Sequence, residues 1–207
     1  MLANRTTLMA GISHDLRTPL TRMRLALALL PDTVDQRLVQ RFEGNLEAMD
    51  VLIGDALRFA QGTREEVQSL ALAPYVREVL DTFDQEIDFS CSISDGVILD
   101  LAPNAFSRVL SNLVGNAIKY ANRVQVSLDG TEVVVSDDGP GIPESERGRV
   151  FQPFYRLEAS RNVSTGGSGL GLAVVQQLSA AHGWKIHIAD SALGGAEFRW
   201  RFDINAR

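Results

Sequence analysis

A histidine and an aspartate are adjacent in residues 13–20, a segment that also contains a threonine and a proline. His14 lies two positions from an apolar residue on each side, about 200° around a helix, so it is predicted to face away from the apolar stripe. Asp15 can accept a hydrogen bond from one ring nitrogen, which leaves the other as a nucleophile. Thr18 follows one turn later on the same face, and Pro19 predicts a bend beside the histidine. Taken alone, the motif is more typical of an ordinary exposed histidine with a charged neighbour.

Two asparagines four residues apart, Asn112 and Asn116, share one face of a predicted helix that continues to Lys119. A neutral amide oxygen is a suitable ligand for a Mg²⁺ ion that also binds phosphate oxygens and water. Lys119 adds a positive charge for the phosphates. The alternative is a solvated polar helix face, but asparagine is a mediocre helix former, and two in a helix interior weaken that interpretation.

Residues 137–142, Asp-Asp-Gly-Pro-Gly-Ile, directly follow a predicted strand. Asp137, at the strand end, can accept a hydrogen bond from an exocyclic amine. Gly139 and Gly141 allow the backbone to pass close to a flat ring. Without other evidence, such a segment is simply a turn.

A glycine-rich run, residues 166–172, opens another predicted helix and offers backbone N–H groups to an anion. No P-loop is present, and Gly167-x-Gly169-x-Gly171 lacks the spacing of a dinucleotide fingerprint. A hydrolase nucleophile elbow is also excluded, because Leu170 occupies the place of its last glycine. The polar, glycine-rich loop before the run, which follows Phe-Gln-Pro-Phe-Tyr-Arg at 151–156, is predicted to be a mobile lid.

The elements that must position these motifs fall into two groups. Apolar residues recur every three or four positions in the first 60 residues, which predicts two helices interrupted at Pro31, with Asp32 or Thr33 capping the second. Such a helical hairpin has a thin core, so we expect two copies to form a four-helix bundle as a homodimer.

After a polar stretch at residues 61–66, the pattern becomes mixed α and β. It predicts an α+β sandwich with antiparallel hairpins and with helices on one sheet face. The predicted strands cover residues 67–72, 87–93, 97–101, 124–128, 132–136, 185–189 and 197–202, and the helices cover 74–83, 105–120 and 170–182.

Composition excludes several classes. The net charge of −6 and pI of about 5.1 argue against direct nucleic-acid binding. The single cysteine cannot form an internal disulfide, and no apolar run of about 18 residues is present. His182 and His187 lack partners at metal-ligand spacing and are predicted to be structural, as are Trp184 and Trp200.

Together the motifs resemble those of the orthodox sensor histidine kinases, and look close to the EnvZ-type osmosensors within them. Residues 14–19 are similar to the H box and residues 112–120 to the N box. Residues 137–142 and 167–172 resemble the two glycine boxes, and residues 151–154 the F box. The five motifs occur in order over nearly the entire chain.

The resemblance implies particular roles. His14 is expected to be the phospho-acceptor, Asp15 its orienting base, and Thr18 the residue that positions water for dephosphorylation of the response regulator. Asn116, supported by Asn112, is expected to bind Mg²⁺. The other implied nucleotide-binding residues are Lys119, Tyr120, Asp137, Gly139, Gly141, Ile142, Phe154, Arg156, Arg161, Gly167, Gly169, Leu170, Gly171 and Leu172.

Among these, Asp137 is expected to recognise the adenine amine, and Arg156 and Arg161 to contact phosphate. The resemblance also implies a dimerisation and phosphotransfer domain at 1–62, a linker at 63–65 and an ATP-binding domain of the Bergerat type at 66–207. The expected partners are a second copy and a response-regulator receiver domain. This portion is expected in the cytoplasm, and the full-length protein in the bacterial inner membrane through segments that precede it.

Two other interpretations remain open at this point. An ATPase of the gyrase, Hsp90 or MutL group would share the nucleotide motifs but not the histidine segment. A non-catalytic docking module would not need Asn116 and Asp137. The lid at 158–168 is short, so its closed geometry cannot be inferred, and the sequence does not decide between phosphorylation in cis and in trans.

Overall fold

The computed structural model describes residues 19–31, 35–60, 65–157 and 168–202. The described residues through Ala60, with residues 168–170, form one compact unit, and residues 65–157 with 171–202 form a second. The predictions for His14, Asp15, Thr18, Arg161 and Gly167 lie outside the described residues. Within the described part of the chain, no helix is long and apolar enough to cross a membrane.

The first unit is the predicted helical hairpin. Helix α1 is described over residues 19–28, and helix α2 spans Gln36–Ala60. The predicted cap at Asp32 or Thr33 was wrong, because α2 begins later and the Asp35 side chain accepts the Arg37 backbone N–H at 2.9 Å. An ion pair between Arg24 and Asp50, 3.8 Å apart, joins the two helices.

Much of the apolar stripe on this unit is exposed to solvent. Leu20 and Leu46 are buried, but Leu29 is 83% exposed. Other large apolar side chains exposed by 42% or more in this unit are Met23, Leu25, Leu30, Leu38, Phe42 and Met49. In the described residues of a single chain, these apolar side chains are exposed to solvent.

The described residues of the second unit form two sheets and three α-helices. Strands β1 (Gln68–Ala71) and β3 (Ile98–Leu101) form an antiparallel pair. The main sheet has the order β2-β4-β5-β7-β6, with β2 Asp88–Cys91, β4 Val124–Asp129, β5 Glu132–Asp137, β6 Lys185–Asp190 and β7 Ala196–Arg201. The helices are α3 Leu72–Leu80, α4 Pro103–Tyr120 and α5 Gly171–His182.

The strand pairings confirm part of the predicted topology. The β4–β5 and β6–β7 hairpins are antiparallel as expected, and Gly130 at the first hairpin has the positive φ of 57° that such tight turns favour. Strand β2 pairs parallel to β4, which was not predicted. A parallel pair needs a long crossover connection, and β3 with helix α4 provides it here.

The core lies between one face of the main sheet and the helices. Alternate residues of β4, β5 and β7 are buried, which is the two-residue period of a sheet covered on one face. Trp200 is fully buried, 4.5 Å from Phe106 between ring centroids and 5.3 Å from Trp184. The predicted α+β sandwich, and the packing role of both tryptophans, are confirmed.

Candidate functional site

A buried carboxylate lies at the end of β5. Asp137 is 5% exposed, and its Oδ1 accepts the backbone N–H groups of Gly139 at 2.8 Å and Ala196 at 3.0 Å. Among the described residues, no hydrogen bond uses its Oδ2. The carboxylate is therefore held by two fixed backbone donors on one oxygen, while its other oxygen can accept a proton donor from a ligand.

Two glycines let the backbone close around this carboxylate. A Cβ added to Gly195 would lie 2.2 Å from Asp137 Oδ1 and 2.4 Å from the Gly139 nitrogen. One added to Gly139 would lie 2.9 Å from Asp137 Oδ1 and 2.9 Å from the Tyr120 carbonyl oxygen. Neither position can hold a side chain without movement of the backbone. Gly195 was not predicted from the sequence, where its one local signal is a pair of glycines before a strand.

The neighbouring aspartate has a structural function. Asp138 Oδ1 accepts the backbone N–H groups of Asn122 at 2.8 Å and Arg123 at 2.9 Å. These bonds, first that to Arg123 and then that to Asn122, hold the pKa of Asp138 below its usual value. Asp138 thereby fastens the start of β4 to the end of β5, directly beside Asp137.

Helix α4 brings the two asparagines to the site. Its buried side, which includes Phe106, Leu110 and Leu113, has the three- and four-residue spacing of an amphipathic helix. Asn112 Nδ2 donates to the Arg108 carbonyl at 2.7 Å, and its Oδ1 would be 2.9 Å from a Cβ on Gly171. Asn112 thus packs against the start of α5.

Asn116, one turn further along α4, is half-buried. Its amide makes no hydrogen bond to any other described residue. The Asn116 amide oxygen is therefore available to a ligand, whereas Asn112 Oδ1 lies against Gly171.

The end of α4 adds positive charge and meets the glycine loop. Lys119 Nζ lies 5.0 Å from the centroid of the Tyr120 ring, and both side chains are half-buried. A Cβ on Gly139 would lie 2.9 Å from the Tyr120 carbonyl oxygen, so a side chain there would collide with it. The end of α4, which carries Lys119 and Tyr120, thus lies beside Gly139 of the glycine loop.

The glycine loop after Asp137 is fixed from its far side. Gly141 has a φ of +70°, a region that favours glycine. Arg147 Nε donates to the Ile142 carbonyl at 3.1 Å and Nη1 to the Ile188 carbonyl at 3.5 Å, while Nη2 pairs with Asp190. Arg147, which the sequence analysis missed, therefore ties this loop to edge strand β6.

The F-box segment forms a compact turn. Tyr155 pairs through its hydroxyl with Glu146, and its ring lies 4.7 Å below the Arg149 guanidinium. Phe154 is 66% exposed and has a φ of +64°, an uncommon conformation for a residue other than glycine. Arg156, two residues later, is half-buried.

The last motif leads into helix α5. Gly169 has a φ of +69°, and the Leu170 N–H donates to Ser168 Oγ at 3.2 Å. Leu170 is buried and Leu172 half-buried. Gly171 is the first residue of α5, where its lack of a side chain allows Asn112 to approach.

The described contacts thus join residues that are far apart in the sequence. Asn112 meets Gly171, Tyr120 meets Gly139, and Asp137 meets Gly139 and Gly195. These groups suit a ligand with a flat ring, an exocyclic amine and attached phosphates. They are the buried Asp137 carboxylate, the glycine-lined backbone, the Asn116 amide and Lys119. Among the described residues, no group of three or more His, Cys, Asp or Glu side chains could hold a metal. A metal ion here would need Asn116 together with ligands from the phosphates themselves.

Two family models match this chain. Residues 102–206 match the histidine kinase-, DNA gyrase B- and HSP90-like ATPases, and residues 4–65 match the His Kinase A (phospho-acceptor) domain. The chain belongs to the family of histidine kinase-, DNA gyrase B- and HSP90-like ATPases. Its combination of the two domains is that of an orthodox histidine kinase, and sensor kinases are among its relatives.

The relatives include the sensor histidine kinase CpxA of Escherichia coli, 32% identical over 94% of this chain and 46% of the relative. The sensor protein RstB of the same species is 31% identical over 99% of this chain and 50% of its own length. GtrS of Pseudomonas aeruginosa is 33% identical over 94% and 41%. The chain thus spans about half the length of these relatives.

Solved structures give the same result. Full-length ShkA in complex with AMPPNP is 27% identical, has a TM-score of 0.69, and aligns over 95% of this chain and 45% of its own. The mycobacterial sensor histidine kinase MprB is 28% identical with a TM-score of 0.53, over 65% of this chain and 95% of its own. The fold is that of histidine kinases.

Proposed function

We propose that this chain is the catalytic region of a two-component sensor histidine kinase. It transfers the γ-phosphoryl group of ATP to His14 and then to an aspartate of a response-regulator receiver domain. The observation that supports this most is the glycine-enclosed Asp137 carboxylate, in a chain whose first residues match a phospho-acceptor domain.

In this proposal Asp137 Oδ2 accepts a hydrogen bond from the adenine amine, while Gly139, Gly141 and Ile142 form the walls around the ring. The two backbone donors on Oδ1 keep the carboxylate oriented before the nucleotide arrives, which lowers the cost of binding. The AMPPNP bound to ShkA is a nucleotide that such a site would accept.

The opposite side of the site holds the phosphates. Asn116 would bind Mg²⁺ through its amide oxygen, with Asn112 in support, and the ion would neutralise phosphate charge during transfer. Lys119 and Tyr120 lie one turn further along α4 and reach toward phosphate and adenine. Arg156 and Arg161, Phe154, and the residues from Gly167 to Leu172 would complete the binding site near the lid.

The transfer itself takes place at His14. A ring nitrogen attacks the γ-phosphorus, the bond to the β–γ bridging oxygen breaks, and ADP leaves. Asp15 accepts a hydrogen bond from the N–H of the other ring nitrogen and so keeps the nucleophile in its reactive tautomer. Thr18 positions the water that hydrolyses the phosphorylated regulator, so the chain is also a phosphatase.

The homodimer is supported by the apolar stripe of α1 and α2, which one chain leaves exposed. Two copies would bury it in a four-helix bundle. The domains would be a phosphotransfer domain at 1–62, a linker at 63–65 and an ATP-binding domain at 66–207. We further propose a cytoplasmic position for this region, an inner-membrane location for the whole protein, and a subtype close to the osmosensors, the last on sequence resemblance alone.

Incubation with γ-labelled ATP and Mg²⁺ tests the function. We expect acid-labile label in the wild-type chain, none in the His14→Gln variant, and normal label in His187→Gln, which changes an exposed histidine on β6. Steady ATP hydrolysis without phosphohistidine would instead indicate an ATPase. The Thr18→Ala variant should keep labelling but dephosphorylate the regulator more slowly, and a parallel loss of both activities would refute the role of Thr18.

A further inference from the structure

The first turn of α4 has no cap from its own segment. The residue before the helix, Ala102, has no polar side chain, and Pro103 follows it as the first helical residue. The backbone N–H groups of Asn104 and Ala105 therefore need acceptors from elsewhere.

Those acceptors come from Glu65. Its Oε1 accepts the Asn104 backbone N–H at 2.9 Å and the Asn104 side-chain amide at 2.7 Å, and its Oε2 accepts the Ala105 N–H at 2.8 Å. Glu65 lies 39 residues before Asn104 in the chain. A negative charge at a helix N-terminus is also favoured by the helix dipole.

The position of Glu65 in the chain makes this cap significant. It follows the end of α2, Ala60, by five residues and precedes β1, which begins at Gln68. The same helix that Glu65 caps contains Asn112, Asn116 and Lys119. The carboxylate thus attaches the connection from the helical hairpin directly to the helix that is proposed to bind the phosphates.

We propose that Glu65 is a positioning residue for phosphoryl transfer, because it fixes where the connection between the two units joins helix α4. The inference rests on the proposed kinase function. Without Glu65, the next residue of this connection that a regular element holds is Gln68, the first residue of β1, three residues later. Loss of this attachment loosens the orientation of the connection relative to α4, and such a loss of orientation is expected to slow transfer about three- to tenfold.

Three variants of the 207-residue chain test the proposal. Glu65→Ala removes the cap, Glu65→Gln keeps one carboxylate-like oxygen, and Glu66→Gln is a matched control at the exposed neighbour. For each, single-turnover labelling by ATP, affinity for AMPPNP and the thermal unfolding midpoint are measured. We expect Glu65→Ala to label three- to tenfold more slowly and Glu65→Gln to be intermediate, with AMPPNP affinity within twofold of wild type and the control unchanged.

A fourth variant separates tethering from simple capping. Adding Ala102→Ser to Glu65→Ala places a hydroxyl at the N-cap of α4, which can restore the cap but not the attachment. Slow labelling in this double variant supports the proposal. Recovery of labelling there, an equal fall in AMPPNP affinity, or normal labelling by Glu65→Ala would each overturn it. Absence of label in the wild-type chain would overturn the kinase function and this inference with it, so the two failures are distinguishable.

Discussion

The substitution of Asp137 by asparagine separates the structural and ligand-binding functions of this carboxylate. Asparagine is almost the same size and keeps Oδ1 as an acceptor for the Gly139 and Ala196 N–H groups. Both bonds lose their charge assistance, which is about 1 kcal/mol for each, so the domain should unfold about 2 kcal/mol more easily. It should remain folded at room temperature.

The effect on nucleotide binding should be larger and selective. The Oδ2 acceptor becomes an NH₂ donor, which faces the adenine amine, also a donor. Losing a charged hydrogen bond and leaving two donors opposed costs about 3 kcal/mol, or about 10²-fold in affinity for ATP. Inosine triphosphate has a carbonyl in place of the amine, so its affinity should rise in the variant, and the preference between the two nucleotides should invert.

Calorimetric titration of both nucleotides into wild-type and Asp137→Asn chains measures this. An unchanged ATP affinity in a folded variant would show that Asp137 does not contact the base. Equal losses for both nucleotides would show that the variant damages the site in general, and the assignment of adenine recognition to Asp137 would be wrong.

Two further predictions concern the surroundings of this carboxylate. Gly195→Ala should abolish AMPPNP binding and destabilise the domain by roughly 3–5 kcal/mol in a urea titration, because its Cβ would overlap Asp137 and the Gly139 nitrogen. The control Gly96→Ala, whose Cβ would have nothing within 4 Å, should change neither quantity. Equal behaviour of the two variants would contradict the packing argument. The lowered pKa of Asp138 means that its contribution to stability is present above the usual aspartate pKa and is lost as the pH falls through the lowered value. Urea midpoints of wild type and Asp138→Ala should therefore differ at pH 7 and converge as the pH falls below the usual aspartate pKa, and a constant difference would show that the charge of Asp138 contributes nothing.

Features encoded by short-range patterns could be predicted from the sequence. Helix α4 followed from its three- and four-residue apolar spacing, and the β4–β5 hairpin from Asp129-Gly130 between two alternating segments. Asp137 was predicted from its place at a strand end, and the structure positions it there in a buried, hydrogen-bonded form. In each case the residues that determine the feature are neighbours in the chain.

Features that depend on distant residues could not be predicted. Position 195 needs glycine because Asp137 and Gly139, which are more than 50 residues earlier in the chain, leave no room for a side chain there. The residues next to Gly195 in the sequence do not reveal this contact. Glu65 caps a helix that begins 38 residues later, and the parallel pairing of β2 with β4 depends on the crossover between them. The positive φ of Phe154 is likewise determined by the turn that the Tyr155–Glu146 contact stabilises, since phenylalanine itself does not favour this conformation.

The most direct test of the proposed function is to identify the phosphorylated residue. The chain contains three histidines, His14, His182 and His187, so peptide mass spectrometry after incubation with ATP and Mg²⁺ can distinguish them. The kinase proposal predicts an acid-labile phosphoryl group on the peptide that contains His14 and none on the other two. A phosphoryl group on another residue, or none on a chain that binds AMPPNP and hydrolyses ATP, would contradict it.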